Sequence, residues 1–245
     1  GNLHPVEVYV LVAGVPGLAD GLYHYLPERH ALELRAQHPR PFAPGPALAI
    51  GLSTLMWREA WKYGERAFRY CQLDTGHALG ALAYASALLG WRPVEQLRIG
   101  SETLARVLGV DRDDDFPGRR ADVGREEPEL LLALDLGGGA APHAPAALRD
   151  VAATAVWQGV ASIVDPHPMF RWPLIDEVAL ATRRPDDSGL PAIAAGLPRA
   201  QPAARILGRR SAQRFDAAHV MSAAAFGQLL AALAGEAETR LSLLF

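Results

Sequence analysis

Apolar residues along this chain change their spacing several times, and each change marks an element. Val6, Val8, Val10 and Val12 alternate with Glu7, Tyr9 and Leu11, so residues 6–12 predict a strand that is apolar on most of both faces. Residues 21–26 and 30–35 are two short alternating runs flanking Pro27, Glu28 and Arg29, the pattern of a hairpin. A polar, proline-bearing stretch follows through Pro46, and from about Ser53 the spacing turns helical. Residues 66–89 read as one helix, about 36 Å long at a rise of 1.5 Å per residue. Beyond Gly76 this helix is apolar nearly all round and slim, with Gly80, Ala81, Ala83, Ala85 and Ala87. It is expected to be buried with other backbones close by, and to end at Gly90.

Residues 101–108 form a short predicted helix with a serine start and Gly109 as its stop, and 129–136 a buried strand closing the unit. The pattern then loosens. Residues 137–205 are rich in proline and carry the run Gly137, Gly138, Gly139, with helices expected only near 147–160 and 174–182. From Ile206 a new helical unit begins, its helix at 222–233. The expected organisation is a first domain over 1–136, a partly structured connector over 137–204, and a second domain from 205 to 245.

Composition narrows the class. The chain has 245 residues, half of them hydrophobic, which suffices for a sizeable core. A formal net charge of −3 carries no footprint for nucleic acid. The single cysteine, Cys71, excludes an internal disulfide and sits among apolar neighbours as an inert core thiol. No basic-then-apolar leader pattern is visible, and the uncharged run 75–91 is short and polar for a membrane span. The expectation is a cytoplasmic protein with no membrane and no nucleic-acid partner.

Several local patterns imitate functional motifs. Asp74, Thr75 and Gly76 match the tripeptide of aspartic proteases, but lie inside a helical pattern and have no second copy. Gly137, Gly138 and Gly139 follow a strand as a dinucleotide-binding loop would, yet Pro142 and further prolines stand where a helix should open. Asp111, Asp113 and Asp115 lack the glycine and closing glutamate of a calcium loop. The eight histidines contain no ligand-spaced pair, so no metal is expected. Tyr23-His24-Tyr25 suits an ordinary hairpin with a half-exposed histidine.

Two clusters remain. Arg209, Arg210, Ser211 and Arg214 place three guanidiniums and a hydroxyl within six residues at the opening of a helical unit, a pattern suited to cradling phosphate and equally to a basic helix face. Lys62 and Tyr63, with Arg66 and Arg69, precede the long helix, a pattern suited to a catalytic pair and equally to cations snorkelling at an amphipathic helix start.

Residues 1–9 (Gly1, Asn2, Leu3, His4, Pro5, Val6, Glu7, Val8, Tyr9) resemble a segment of the nitroreductase superfamily, nearest to its branch of SagB-type azoline (thiazoline/oxazoline) dehydrogenases. Gly21 to Tyr25 resembles the hairpin that follows in that branch. Lys62 to Tyr70, with Asp74 to His77 beyond, resembles its most characteristic stretch. Arg209-Arg210-Ser211, with Arg214 and Phe215, is similar to the arginine-arginine-serine motif that opens such domains. In the family that motif comes first; here it comes last, which implies a tandem fusion showing the back part of one domain and the front part of the next.

The resemblance implies an α+β, three-layer fold with an antiparallel-rich central sheet and a long buried central helix. It implies FMN, bound by Gly1 and Asn2 together with Arg209, Arg210 and Ser211, with Arg214 either a cofactor contact or structural. It implies two-electron oxidation of a thiazoline or oxazoline in a peptide to the azole, with Lys62 and Tyr63 as the catalytic pair. An ammonium beside a phenol favours the phenolate, so Tyr63 is the base and Lys62 binds substrate or stabilises charge. A homodimer or an intramolecular pseudo-dimer, and a cyclodehydratase complex, are the partners implied. An NAD(P)H-dependent nitro or quinone reductase and a non-catalytic flavin-binding scaffold are the alternatives.

Overall fold

The computed structural model describes residues 2–116, 126–137, 143–162, 170–188 and 203–234. Contacts divide the chain into one unit over Gly1–Ala203 and another over Ala204–Phe245.

The first unit is organised by a seven-stranded sheet in the order β5-β6-β4-β1-β2-β3-β7, from strands β1 (Val6–Ala13), β2 (Gly21–Leu26), β3 (Ala31–Gln37), β4 (Ala47–Leu55), β5 (Arg92–Glu95), β6 (Glu126–Asp135) and β7 (Val156–Trp157). Every neighbouring pair is antiparallel. The expected α+β class with an antiparallel central sheet is therefore what the chain forms. The first strand and the hairpin stand where the alternation put them. The expected helical pattern from Ser53 does not: Ser53, Thr54 and Leu55 finish β4, a central strand paired with β1 on one side and β6 on the other. Nor does the strand expected at 129–136 close the unit, since β6 begins at Glu126 and lies inside the sheet, with β5 on its outer edge.

Side-chain alternation gives the sheet two faces. On one, Gly51 lies so close to α3 (Ser101–Leu108) that an added Cβ would fall 2.4 Å from Leu108. Tyr9, Leu11, Leu104, Leu108, Val110 and Leu148 form the main core there, completed by α4 (Pro145–Thr154). Further along β4, Thr54 points to the opposite face, where Glu129 links it to Gln72 on α2 (Ala67–Leu88). Met56, Ala67, Cys71 and Ile175 make a second, smaller core on that side, joining α1 (Trp57–Tyr63) and α2 to α5 (Pro173–Ala181). The connector expected at 137–204 thus contributes α4, β7 and α5 to the first unit.

The long helix expected at 66–89 is α2, and Gly90 ends it with a φ of 73° while Trp91 N–H reaches back to Ser86 O at 2.8 Å. Its burial differs from expectation. Only Ala67, Cys71, Thr75 and Ser86 are buried, whereas Leu73, Tyr84, Leu88 and Leu89 are 44% to 62% exposed. A helix on one side of a sheet meets it with one face; here the other, Leu73-Gly76-Gly80-Tyr84-Leu88 at helical spacing, is left uncovered among the described residues.

The second unit has α6 (Ala203–Gly208), running in from the boundary, and α7 (Ala223–Ala234). Its described side chains are exposed through residue 231.

Candidate functional site

The N-terminal segment runs beside the end of β4, held by the Leu55 N–H donating to Pro5 O at 2.8 Å. Arg58 on α1 donates to His4 O at 2.7 Å. Asn2 and His4 adopt φ values of 57° and 49°, a left-handed conformation that costs a non-glycine residue energy and is kept where surroundings enforce it. Between this segment and helices α1 and α2 lies a cleft of about 320 Å³, lined by Asn2, His4, Glu59, Asp74 and His77 among others. Glu59 is buried at 4% exposure; burial, reinforced by the Asp74 charge, pushes its carboxyl above the ordinary range, against the pull of Lys62. The cleft therefore brings amide, imidazole and carboxyl groups together, the repertoire for hydrogen bonding a heterocycle and for moving protons.

Lys62 and Tyr63 form the end of α1, one turn beyond Glu59. Lys62 Nζ lies 5.3 Å from the Tyr63 ring centroid, and the Tyr63 and Tyr70 rings are 4.5 Å apart. The pair does not line the Asn2 cleft. Gly64 stops α1 with φ 60° and ψ −139°, and the Trp172 ring stands 3.2 Å from where its Cβ would be. A side chain there would be strained and would crowd Trp172, so the break after Tyr63 is specified by glycine. Gly1 lies outside the described residues.

Arg209, Arg210, Ser211 and Arg214 lie in the second unit and are exposed. They follow the C-terminal end of α6 and do not sit at a helix N-terminus: Arg209 N–H donates to Ile206 O at 3.3 Å, and Arg210 Nη1 to Leu207 O at 3.1 Å and to Arg209 O at 2.9 Å. The expected helix-terminal N–H groups are not beside them. The Arg210 guanidinium faces the carbonyl end of α6, where a cation is favourable.

A buried polar network on the other face of β1 was not anticipated. Alternation along β1 puts Glu7 and Tyr9 on one face, and pairing sets Tyr9 against His24 and Glu7 against Ser53. His24, expected half-exposed, is 7% exposed; its Nε2 lies 2.7 Å from Glu7 Oε2 and its ring stacks on Tyr9 at 4.9 Å. Arg58 grips Glu7 Oε1 at 2.6 Å. Burial works to raise the Glu7 carboxyl, but the His24 hydrogen bond and the Arg58 charge outweigh it and hold it below the ordinary range. Tyr9 donates to Glu126 Oε1 at 2.9 Å, and Ser53 donates to the same oxygen. Glu126 Oε2 is buried without a partner among the described residues, and burial pushes this carboxyl up despite both donors. The tyrosine is pushed up by burial and the adjoining carboxyl. Through Arg58, which touches both Glu7 and His4 O, this network braces the segment that carries Asn2.

The look-alike motifs resolve into structure. Asp74, Thr75 and Gly76 are helical, with Thr75 bonded to Cys71 O at 2.9 Å. Asp115 pairs with Arg35 at 3.0 Å and Arg112 at 2.8 Å. Cys71 is fully buried and its thiol is pushed up by that burial, as expected of a core residue. Among the described residues no cluster suits a metal ion, and no helix is long and apolar enough to cross a membrane.

No family model matches the chain. A solved structure described as a candidate nitroreductase from Anabaena variabilis aligns with a TM-score of 0.45 and 30% identity, over 55% of this chain and 28% of that one. A candidate nitroreductase of Methanocaldococcus jannaschii is 30% identical over 137 residues, 51% of this chain and 68% of the archaeal protein. That extent of matched sequence in the archaeal relative places the chain in the nitroreductase family.

Proposed function

We propose that the chain is part of an FMN-dependent oxidoreductase that converts thiazoline or oxazoline rings in a peptide to azoles, with Lys62 and Tyr63 at the reacting ring. The observation that supports it is the pairing of Lys62 Nζ with the Tyr63 ring at 5.3 Å, one helical turn from the cleft that holds Asn2. Bound FMN supplies a two-electron acceptor. Tyr63 takes the ring proton, and Lys62 orients the substrate and stabilises the charge that develops as the proton leaves.

The described residues fit part of a flavin. At about 320 Å³ the Asn2 cleft is at the small end of the roughly 300–1,000 Å³ typical of small-molecule sites. Asn2 offers both a donor and an acceptor to a ring edge or ribityl chain, with Gly1 beside it in sequence. Arg209, Arg210 and Ser211 are assigned to the phosphate, with Arg214 as a further contact or a structural residue. Motif order supports a tandem pair of such domains. The uncovered α2 stripe, with Gly76 and Gly80 letting a second backbone approach, supports pairing with a second copy or a second domain. A cyclodehydratase complex is the larger partner in this reading, in the cytoplasm.

The archaeal relative is described as a nitroreductase, which favours a second reading, reduction of a nitro compound; a quinone as alternative acceptor and NAD(P)H as hydride source belong to our reading. One experiment separates the two. The purified protein is assayed for released FMN, then offered an azoline peptide under air and, separately, NADPH with a nitroarene. Azole formation that is lost in Lys62→Ala and Tyr63→Phe supports azoline oxidation. NADPH turnover indifferent to both substitutions supports nitro reduction. A protein that holds no flavin overturns both and leaves a scaffold role.

A further inference from the structure

A second cleft is larger than the one that holds Asn2. At about 560 Å³, it lies where the 183–186 stretch crosses the start of α3, and shares no residue with the first. Four arginines line it, Arg106, Arg149, Arg183 and Arg184, against two acidic residues, Glu102 and Asp186.

Three of these arginines are held in place. Arg149 pairs with Asp186, Arg183 reaches both oxygens of Glu127 at 3.0 and 2.9 Å, and Arg184 donates to Ile99 O at 3.0 Å. A fixed guanidinium loses little freedom when its remaining N–H groups meet a ligand. Asp186 is already spent, with Gly100 N–H and the Thr103 hydroxyl each donating to it at 2.7 Å besides Arg149. Hydrogen bonds and the Arg149 charge hold this carboxyl below the ordinary range despite burial, so it stays ionised and balances Arg149. The Arg106 side chain, exposed on α3, has no hydrogen-bond or ion-pair partner among the described residues. The cleft therefore keeps a surplus of positive charge built from the side chain that recognises phosphate by two parallel hydrogen bonds.

Size and lining define the ligand further. A bare ion needs only a niche, whereas this volume lies inside the range of small-molecule sites. Leu180 and Pro185 give it an apolar wall for an organic body. We infer that this cleft binds a phosphorylated small molecule of nucleotide size, its phosphate on Arg106 and the neighbouring arginines. The inference stands apart from the flavin reading.

The test is calorimetric titration of the full chain, with ADP, inorganic phosphate and adenosine as separate probes. ADP is expected to bind saturably and more tightly than phosphate, adenosine not at all, and added salt should weaken ADP. Arg106→Ala should weaken ADP about tenfold, with Arg106→Lys in between. The Arg106 side chain bonds to none of the described residues, so thermal stability of both variants should match the parent. Equal binding of ADP and adenosine, equal binding of ADP and phosphate, an unchanged affinity in Arg106→Ala, or no ADP binding overturns the inference.

Discussion

His24 Nε2 lies 2.7 Å from Glu7 Oε2 inside the sheet, a contact between neighbouring strands that also orients the carboxylate toward Arg58. Because Glu7 is held below the ordinary carboxylate range, it titrates lower in the folded chain than in the unfolded one. Its contribution is present above the unfolded value of about 4.3 and is lost as pH falls through the folded one. Glu7→Gln should therefore cost about 2 kcal/mol at neutral pH, with the difference from the parent closing below about pH 4. Thermal melts of both proteins across that range check it; a constant difference would show that the pair does not titrate with folding.

Glu126 predicts the opposite slope. Burial raises its carboxyl, so its contribution is full below the unfolded value and is lost as pH rises through the folded one. Glutamine mimics the neutral acid and keeps an oxygen for the Tyr9 and Ser53 donors. Glu126→Gln should therefore gain stability relative to the parent as pH rises, and match it near pH 4. Melting temperatures plotted as a difference against pH test this directly.

Gly64 holds a φ of 60° against the Trp172 ring. Gly64→Ala combines backbone strain with that contact and should destabilise by about 1–3 kcal/mol. It should also displace Trp172, read as a shift in its fluorescence. An unchanged melt and spectrum would mean that the break after Tyr63 tolerates a side chain.

The exposed stripe on α2 predicts self-association. Dilution in sedimentation runs should show a dimer, and Tyr84→Glu or Gly80→Leu should shift it to monomer with helical content unchanged. A parent that is monomeric at all concentrations would remove the second copy from the proposed arrangement, leaving a covering domain.

What was readable in advance follows from how local each signal is. β1, the β2–β3 hairpin, α2 and α3 each carry a complete period with a turn or glycine at the end, so neighbours in sequence suffice. β4 was not readable: Ala47-Leu48-Ala49-Ile50-Gly51-Leu52 is a short apolar run that suits strand or helix alike, and only pairing with β1 and β6 decides it. β5 carries Pro93 and becomes a strand because the edge of β6 is there to receive it.

The same division holds for the candidate site. Lys62, Tyr63 and Asn2 were named from sequence because each belongs to a contiguous motif, and of the three Asn2 lines the cleft. Glu59, Asp74 and His77 were not, because they meet Asn2 only once α1 and α2 pack beside the N-terminal segment. Sequence by itself determined the elements whose hydrophobic period and stop signals are local, together with the inert burial of Cys71. Tertiary structure alone decided that Tyr9, Ser53 and Glu126 share a buried hydrogen-bond cluster, and that one apolar face of α2 stays uncovered among the described residues. Strand register and helix docking join residues distant along the chain, and no local period encodes which of them will meet.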